Sequence, residues 1–201
     1  MVQYIHKTCR CSMNKSYRNI TIREATINDA KLIAYAVGTA IGEESVQEHF
    51  GANWLDIITE IAQLEISQYS YRNALIAEVD GSPAGVIVTY DGARLEELRS
   101  ETIRIVRKYK PNFTFSEDET EPGEYYIDTL CVLPQYRKMG IATKLITTIR
   151  KQAFAEGHTK LGLIVDIDNP TAERLYTKIG FQRVGMRIFA GHKMWHLVYE
   201  Q

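Results

Sequence analysis

The 201-residue sequence predicts a mixed α/β fold, one β-sheet with helices on its faces. Three observations predict it. Residues 125–178 alternate strand, helix, strand, helix. Two apolar runs flank the turn signal Asp80-Gly81, and the chain finishes on two more strand-like runs joined by Ala190-Gly191-His192-Lys193. The first pattern is a βαβα unit with parallel strands and the other two are hairpins, so the sheet is not purely doubly wound.

Each element follows from local pattern. Residues 1–18 are polar and weakly patterned and read as a flexible arm ahead of one domain at 19–201. Ile20-Thr21-Ile22-Arg23 is the first strand. Thr26 and Asp29 make a capping-box-like helix start, with Asp in place of Glu or Gln, and Leu32, Ile33, Tyr35 and Ala36 supply the apolar stripe. A second helix is expected at about 52–66, where Trp54, Ile57, Ile58, Ile61 and Leu64 recur at spacings of three and four. Asn73–Val79 and Ala84–Tyr90 read as strands, and Pro83 argues for a connecting loop longer than two residues. A third helix is expected at about 93–109, with Leu95, Leu98, Thr102, Ile105, Val106 and Tyr109 on one side and Pro111 past its exit. Ser116–Glu124 is acidic and turn-rich and reads as an exposed loop.

Tyr125–Leu133 is the expected central strand, ended by Pro134. Ile141, Leu145, Ile149 and Ala153 fall four apart on a helix over Ile141–Phe154, and Leu161–Ile167 is again a strand. Asn169-Pro170 combines a helix cap with proline at the first helical position, and that helix runs to Lys178 and stops at Gly180. Phe181–Phe189 and Met194–Tyr199 form the final antiparallel pair.

Composition excludes several classes. Apolar content of 45% and charged content of 24% are those of a soluble globular chain. Lys plus Arg number 24 against 25 Asp plus Glu, so there is no global basic field to draw duplex nucleic acid. Cys9, Cys11 and Cys131 form neither a disulfide framework nor a metal spacing, and Cys131 reads as a small buried hydrophobe. His6, His49, His158, His192 and His196 form no metal constellation, so no metal is expected. His192 reads as a turn residue and His196 as facing out. There is no membrane-spanning run and no apolar signal core, which predicts a cytoplasmic protein off the membrane.

The most specific stretch is Leu130-Cys131-Val132-Leu133-Pro134-Gln135-Tyr136-Arg137-Lys138-Met139-Gly140-Ile141-Ala142. A strand delivers the chain to a short turn, and a helix starts directly after it. The first N–H groups of that helix have no intrahelical acceptors and can bind an anion, or the turn is an ordinary basic surface loop.

Read with Asn169-Pro170-Thr171-Ala172-Glu173-Arg174-Leu175-Tyr176-Thr177-Lys178-Ile179-Gly180-Phe181, this turn resembles the GNAT family of N-acetyltransferases. Arg137-x-x-Gly140-x-Ala142 matches that family's pyrophosphate-binding pattern, with Lys138 where many members have glycine. The second segment is similar to the family's Asn-x-x-Ala-x-x-Leu-Tyr-x-x-x-Gly-Phe, and Ile22-Arg23-x-Ala25-Thr26-x-x-Asp29-Ala30 to its opening strand and helix. The resemblance spans about residues 20–199. It implies a centrally splayed sheet of the acyl-CoA N-acyltransferase type, with acetyl-CoA (coenzyme A) as co-substrate between two parting parallel strands. By that resemblance Leu130, Cys131 and Val132 lie along the pantetheine arm. Arg137, Lys138, Met139, Gly140, Ile141 and Ala142 hold the pyrophosphate, Asn169 and Ala172 lie beside the cofactor, and Tyr176 approaches the thioester sulfur.

Attack of an amine on a thioester needs a neutral amine, a donor for the developing oxyanion and a proton for the departing thiolate. A backbone N–H in Leu130–Leu133 suits the second need and Tyr176 the third. For the first, Asp128 shares a strand face with Tyr126 and Leu130, and Glu124 opens the same strand; the sequence leaves both open as base or amine anchor. The acidic run 117–124 either attracts a cationic amine or is a solvated loop. Phe50, Trp54, Tyr69 and Tyr71 either wall the acceptor pocket or belong to the core. The expected function is acetyl transfer to a primary amine by direct attack in a ternary complex, the acceptor a small molecule. A peptide amine and a non-catalytic acyl-CoA sensor are the alternatives. Met194–Tyr199 offers an apolar edge for a homodimer, and sheet burial explains it equally well.

Overall fold

The structure, a computed structural model, describes residues 18–114 and 117–201. The arm, with His6, Cys9 and Cys11, and Ser116 of the acidic run lie outside the described residues, Arg18 excepted. The elements are β1 (Ile20–Glu24), α1 (Ala30–Ile41), α2 (Glu43–Phe50), α3 (Trp54–Ala62), β2 (Ala74–Val79), β3 (Ser82–Asp91) and α4 (Leu95–Val106). There follow β4 (Tyr125–Val132), α5 (Ile141–Ala155), β5 (Lys160–Asp166), α6 (Pro170–Ile179), β6 (Gln182–Phe189) and β7 (His192–Glu200).

Seven strands form one sheet in the order β1-β2-β3-β4-β5-β7-β6. All neighbours are antiparallel except β4 and β5. That parallel pair is joined only at Tyr125↔Leu161 and Tyr126↔Gly162, and from there the strands part. The mixed, centrally splayed sheet flanked by helices is therefore the observed architecture.

Strand alternation divides the core between the two faces. Ile76, Val86, Val88 and Cys131 pack with Ile33, Val37, Ile57, Ile58 and Ile61 of α1 and α3. Leu75, Ala77, Ile87 and Ile127 face the other way, onto Ile141, Leu145, Ile146 and Ile149 of α5. Each fully buried Ile or Leu contributes roughly 1.5–3 kcal/mol. The Thr26–Asp29 capping box is present, and Asp29 also takes two bonds from Arg23, at 2.8 and 2.9 Å.

Several expectations are corrected. The hairpin loop is the two-residue turn Asp80-Gly81, with φ of 52° and 78°, the primed geometry that fits strand twist. A bulge at Ala77/Glu78 absorbs Pro83 within β3. Tyr35 and Tyr109 fall off their apolar stripes and are exposed, because Ala34, Val37 and Val106 fill those faces. The second helix ends at Ala62, and α2, bracketed by Gly42 and Gly51, was not foreseen. His196 is buried, not outward, and His192 opens β7. Met194–Tyr199 is not an edge: β7 lies between β5 and β6, and β6 is the edge strand on that side of the sheet.

The acidic run is the largest correction. Glu119, Thr120 and Glu124 are among the most buried polar residues of the molecule. Arg99 of α4 draws the run inward, pairing with Asp118 at 2.5 Å and with Glu119.

Candidate active site

Where β4 and β5 part, the sheet opens into a cavity of about 300 Å³. Its floor is Asp128–Leu130 of β4 and Ile164–Asp166 of β5; Asn169, Ala172 and Tyr176 of α6 close one side. The opposite wall brings Phe50 from α2, Gln68, Tyr69, and Glu117 and Glu119 from the acidic run. Phe50 and Tyr69 therefore wall the cavity, whereas Trp54 and Tyr71 pack on the helical core.

The charged lining is one-sided. Glu117, Glu119, Asp128 and Asp166 line the cavity with no Lys or Arg among the lining residues, His49 and His192 being its other titratable nitrogen groups. Asp128 sits half-buried on β4, its Oδ1 accepting from Thr129 Oγ1 at 2.9 Å and its Oδ2 lying 3.0 Å from the Tyr90 hydroxyl. Burial and the neighbouring Glu119 carboxylate push its pKa up to about 7. Glu119 is also raised by burial, against the pull of Arg99. Gln68 donates to Glu119 at 2.7 Å, while its own buried Oε1 has no partner among the described residues.

Tyr176 projects from α6 into the same cavity, its ring edge-on to Phe181. The helix is placed by Asn169, whose Oδ1 caps the Ala172 N–H at 3.1 Å, and by Pro170 directly after it. Burial alone pushes the Tyr176 phenol up to about 12.

Glu124 is not among the cavity-lining residues. Its carboxylate is buried against Gly162, where a Cβ would collide with it, and contacts His196 Nε2 at 2.9 Å. Thr120 Oγ1 also donates to it, at 3.5 Å. Only glycine on β5 leaves room for this arrangement, which ties the start of β4 to β7. Cys131 is buried on the helical face, and burial pushes its thiol up.

Beyond β4 comes the turn to α5. Lys138 and Gly140 have φ of 64° and 80°, left-handed backbone that reverses the chain directly before the helix. The α5 N-terminus has neither a side-chain cap nor an acidic residue in its first turn. Arg137 and Lys138 are exposed beside it, with Arg137 Nε donating to Val132 O at 3.2 Å. Uncapped first-turn N–H groups with nearby cations suit a phosphate group, so these residues fit the pyrophosphate of a coenzyme A donor. The turn is outside the cavity lining, but β4 runs from Asp128 in the cavity to Val132, its last residue before the turn, linking the two.

Gln68, Tyr90, Arg99 and Glu119 were not singled out from the sequence. Glu119 was hidden in an acidic run, and Tyr90 ended an apolar strand. Gln68 had no local signal at all.

Among the described residues no group of three or more His, Cys, Asp or Glu is arranged to hold a metal ion. No described helix is long and apolar enough to cross a membrane.

Comparison with known proteins agrees with this geometry. A solved acetyltransferase is 34% identical, with a TM-score of 0.74 over 90% of this chain and 98% of that one. An N-acetyltransferase from Staphylococcus aureus Mu50 is 27% identical, with a TM-score of 0.79 over 89% of this chain and all of its own. The N-alpha-acetyltransferase RimI of Mycobacterium tuberculosis is 41% identical over 68 residues, 34% of this chain and 41% of that protein. The chain thus spans less than half of that curated relative. The profile of the acetyltransferase (GNAT) family matches residues 42–181, more than half the chain and inclusive of both the Arg137–Ala142 turn and the Asn169–Phe181 segment. By that match and by the shared fold, the chain belongs to the acetyltransferase (GNAT) family.

Proposed function

We propose that the protein transfers an acetyl group from acetyl-CoA to the primary amine of a small, cationic molecule, by direct attack within a ternary complex. The observation that carries this reading is the cavity: four carboxylates line it with no Lys or Arg among the described lining residues, and burial beside Glu119 pushes one of them, Asp128, up to about 7. A volume of about 300 Å³ suits a small ligand. The unpartnered Gln68 Oε1 adds a buried acceptor that an ammonium N–H satisfies.

Bound acetyl-CoA supplies an acyl group activated as a thioester. The chain's residues do the rest. Lys138–Ala142 at the α5 N-terminus hold the pyrophosphate, helped by Arg137. β4 from Leu130 to Val132 borders the gap that β5 leaves, and the N–H groups there that β3 does not take serve the pantetheine arm and the developing oxyanion. Asp128 takes the proton of the arriving ammonium, so the amine attacks as a neutral nucleophile. Tyr176 donates toward the departing sulfur. A phenol near 12 keeps its proton until then.

The test is thiol release from acetyl-CoA across polyamines, amino acids, aminoglycosides, arylamines and peptides, with initial rates varied in both substrates. Intersecting lines with a small cationic amine support the reading. Parallel lines exclude direct attack, preference for peptides excludes the acceptor class, and coenzyme A binding with no release for any amine favours a sensor.

A further inference from the structure

The Tyr90 hydroxyl stands between two carboxylates. Its oxygen is 3.0 Å from Asp128 Oδ2 and 3.1 Å from Glu119 Oε1, yet a phenol has one proton to donate. With both carboxylates ionised, one contact sets lone pair against lone pair in a buried site, which is costly. One further proton removes the conflict. Protonated Asp128 then donates to Tyr90, Tyr90 donates to Glu119, and the chain of bonds is complete.

The extra proton belongs on Asp128. Glu119 is held in its ionised form by the Arg99 guanidinium on one oxygen and the Gln68 amide at 2.7 Å on the other. Among the described residues no cation contacts Asp128; its further bond is the neutral Thr129 hydroxyl.

We propose that Glu119 is a positioning residue that raises the proton affinity of Asp128 by its like charge, while the Tyr90 hydroxyl between them turns its hydrogen to whichever carboxylate is ionised and unmet. The catalytic use of this device rests on the reading of Asp128 as base. When the ammonium transfers its proton, an N–H bond breaks and an O–H bond forms on Asp128. Tyr90 then swings its hydrogen from Asp128 to Glu119. The proton stops at Asp128, and no further charge moves.

The groups around Asp128 are Tyr90 from β3, Tyr69 ahead of β2, Tyr126 on β4 itself, Glu119 and behind it Arg99. Burial pushes all three phenols well up, so they stay neutral near pH 7. Glu119 is left as the like charge nearest to Asp128, and Arg99 offsets it in part. Glu117 lines the same cavity.

The experiment is a carboxyl-¹³C NMR titration of Asp128 in the full chain without substrates, set beside the pH profile of kcat/KM. Glu119→Gln removes the like charge, and the Asp128 midpoint falls by about one pH unit or more. Tyr90→Phe removes the donor to the ionised form, and the midpoint rises. Opposite shifts are the signature, since a merely structural role moves both midpoints the same way or neither. A folded Glu119→Gln protein with an unmoved midpoint overturns the proposal. If that variant does not fold, Tyr90→Phe decides alone, and a midpoint that stays or falls overturns it. Shifts as stated, with Asp128→Asn fully active, keep the Glu119–Asp128 coupling and discard Asp128 as the base.

Discussion

The turn before α5 offers a ligand its backbone; the cavity between β4 and β5 offers side chains. The turn is six consecutive residues, Arg137–Ala142, and its geometry rests on two left-handed positions, Lys138 and Gly140. The acid end draws Gln68, Tyr90, Glu119 and Asp128 from four separate segments. On the proposed reading, the local motif meets the group common to the donor, and the distant side chains that the fold brings together meet the acceptor.

That contrast is breakable at either end. The largest effect is expected from Asp128→Asn, which lowers kcat/KM by about 10²–10⁴ while leaving coenzyme A affinity intact, as read by thiol release and calorimetry. Tyr176→Phe is expected to cost about 10² in kcat with little change in either KM, because the phenol acts only as the sulfur departs. In the native enzyme kcat/KM rises with pH through about 7, since Asp128 must be ionised to accept a proton. Stability runs the other way. The folded-state pKa of Asp128 lies above its ordinary value of 3.8, so the folded chain holds a proton that the unfolded one has lost. Its contribution is present below 3.8 and is lost as pH rises to about 7. Asp128→Asn is thus expected to raise Tm at pH 8, and an unchanged Tm would show that the carboxylate is not desolvated.

At the donor end, Gly140→Ala forces a Cβ into φ of 80°, at roughly 1–2 kcal/mol. Coenzyme A affinity falls about tenfold, and the Asp128 titration does not move. The smallest effect lies outside both ends. Thr26→Ala removes the reciprocal cap before α1, lowers stability by about 1 kcal/mol in thermal melts, and leaves kcat unchanged.

The same contrast explains what was legible in the sequence. The strand–turn–helix at 130–142 and the capped helix at 169–181 could be read because cap, proline and glycine positions carry local rules. The hairpin at Asp80-Gly81 was read in kind, but Pro83 misled because a bulge accommodates it. Glu124 and Asp128 sit four residues apart and looked equivalent. Packing separates them, for Glu124 turns onto Gly162 and His196 while Asp128 meets Tyr90 and the cavity. Burial of Glu119 depends on Arg99, twenty residues earlier in the chain, and no periodicity announces such a partnership.

Glu124 has one more consequence, a mechanical one. The sheet is two plates, β1–β4 and β5–β7–β6, sewn together by two rungs at Tyr125 and Tyr126. The Glu124–His196 contact spans that seam across Gly162, at the closed end of the wedge. A wedge riveted at its apex has one soft motion, widening at the mouth. Any parting of the two plates is therefore expected to begin at the mouth, where β4 and β5 share no rungs, and not at the apex.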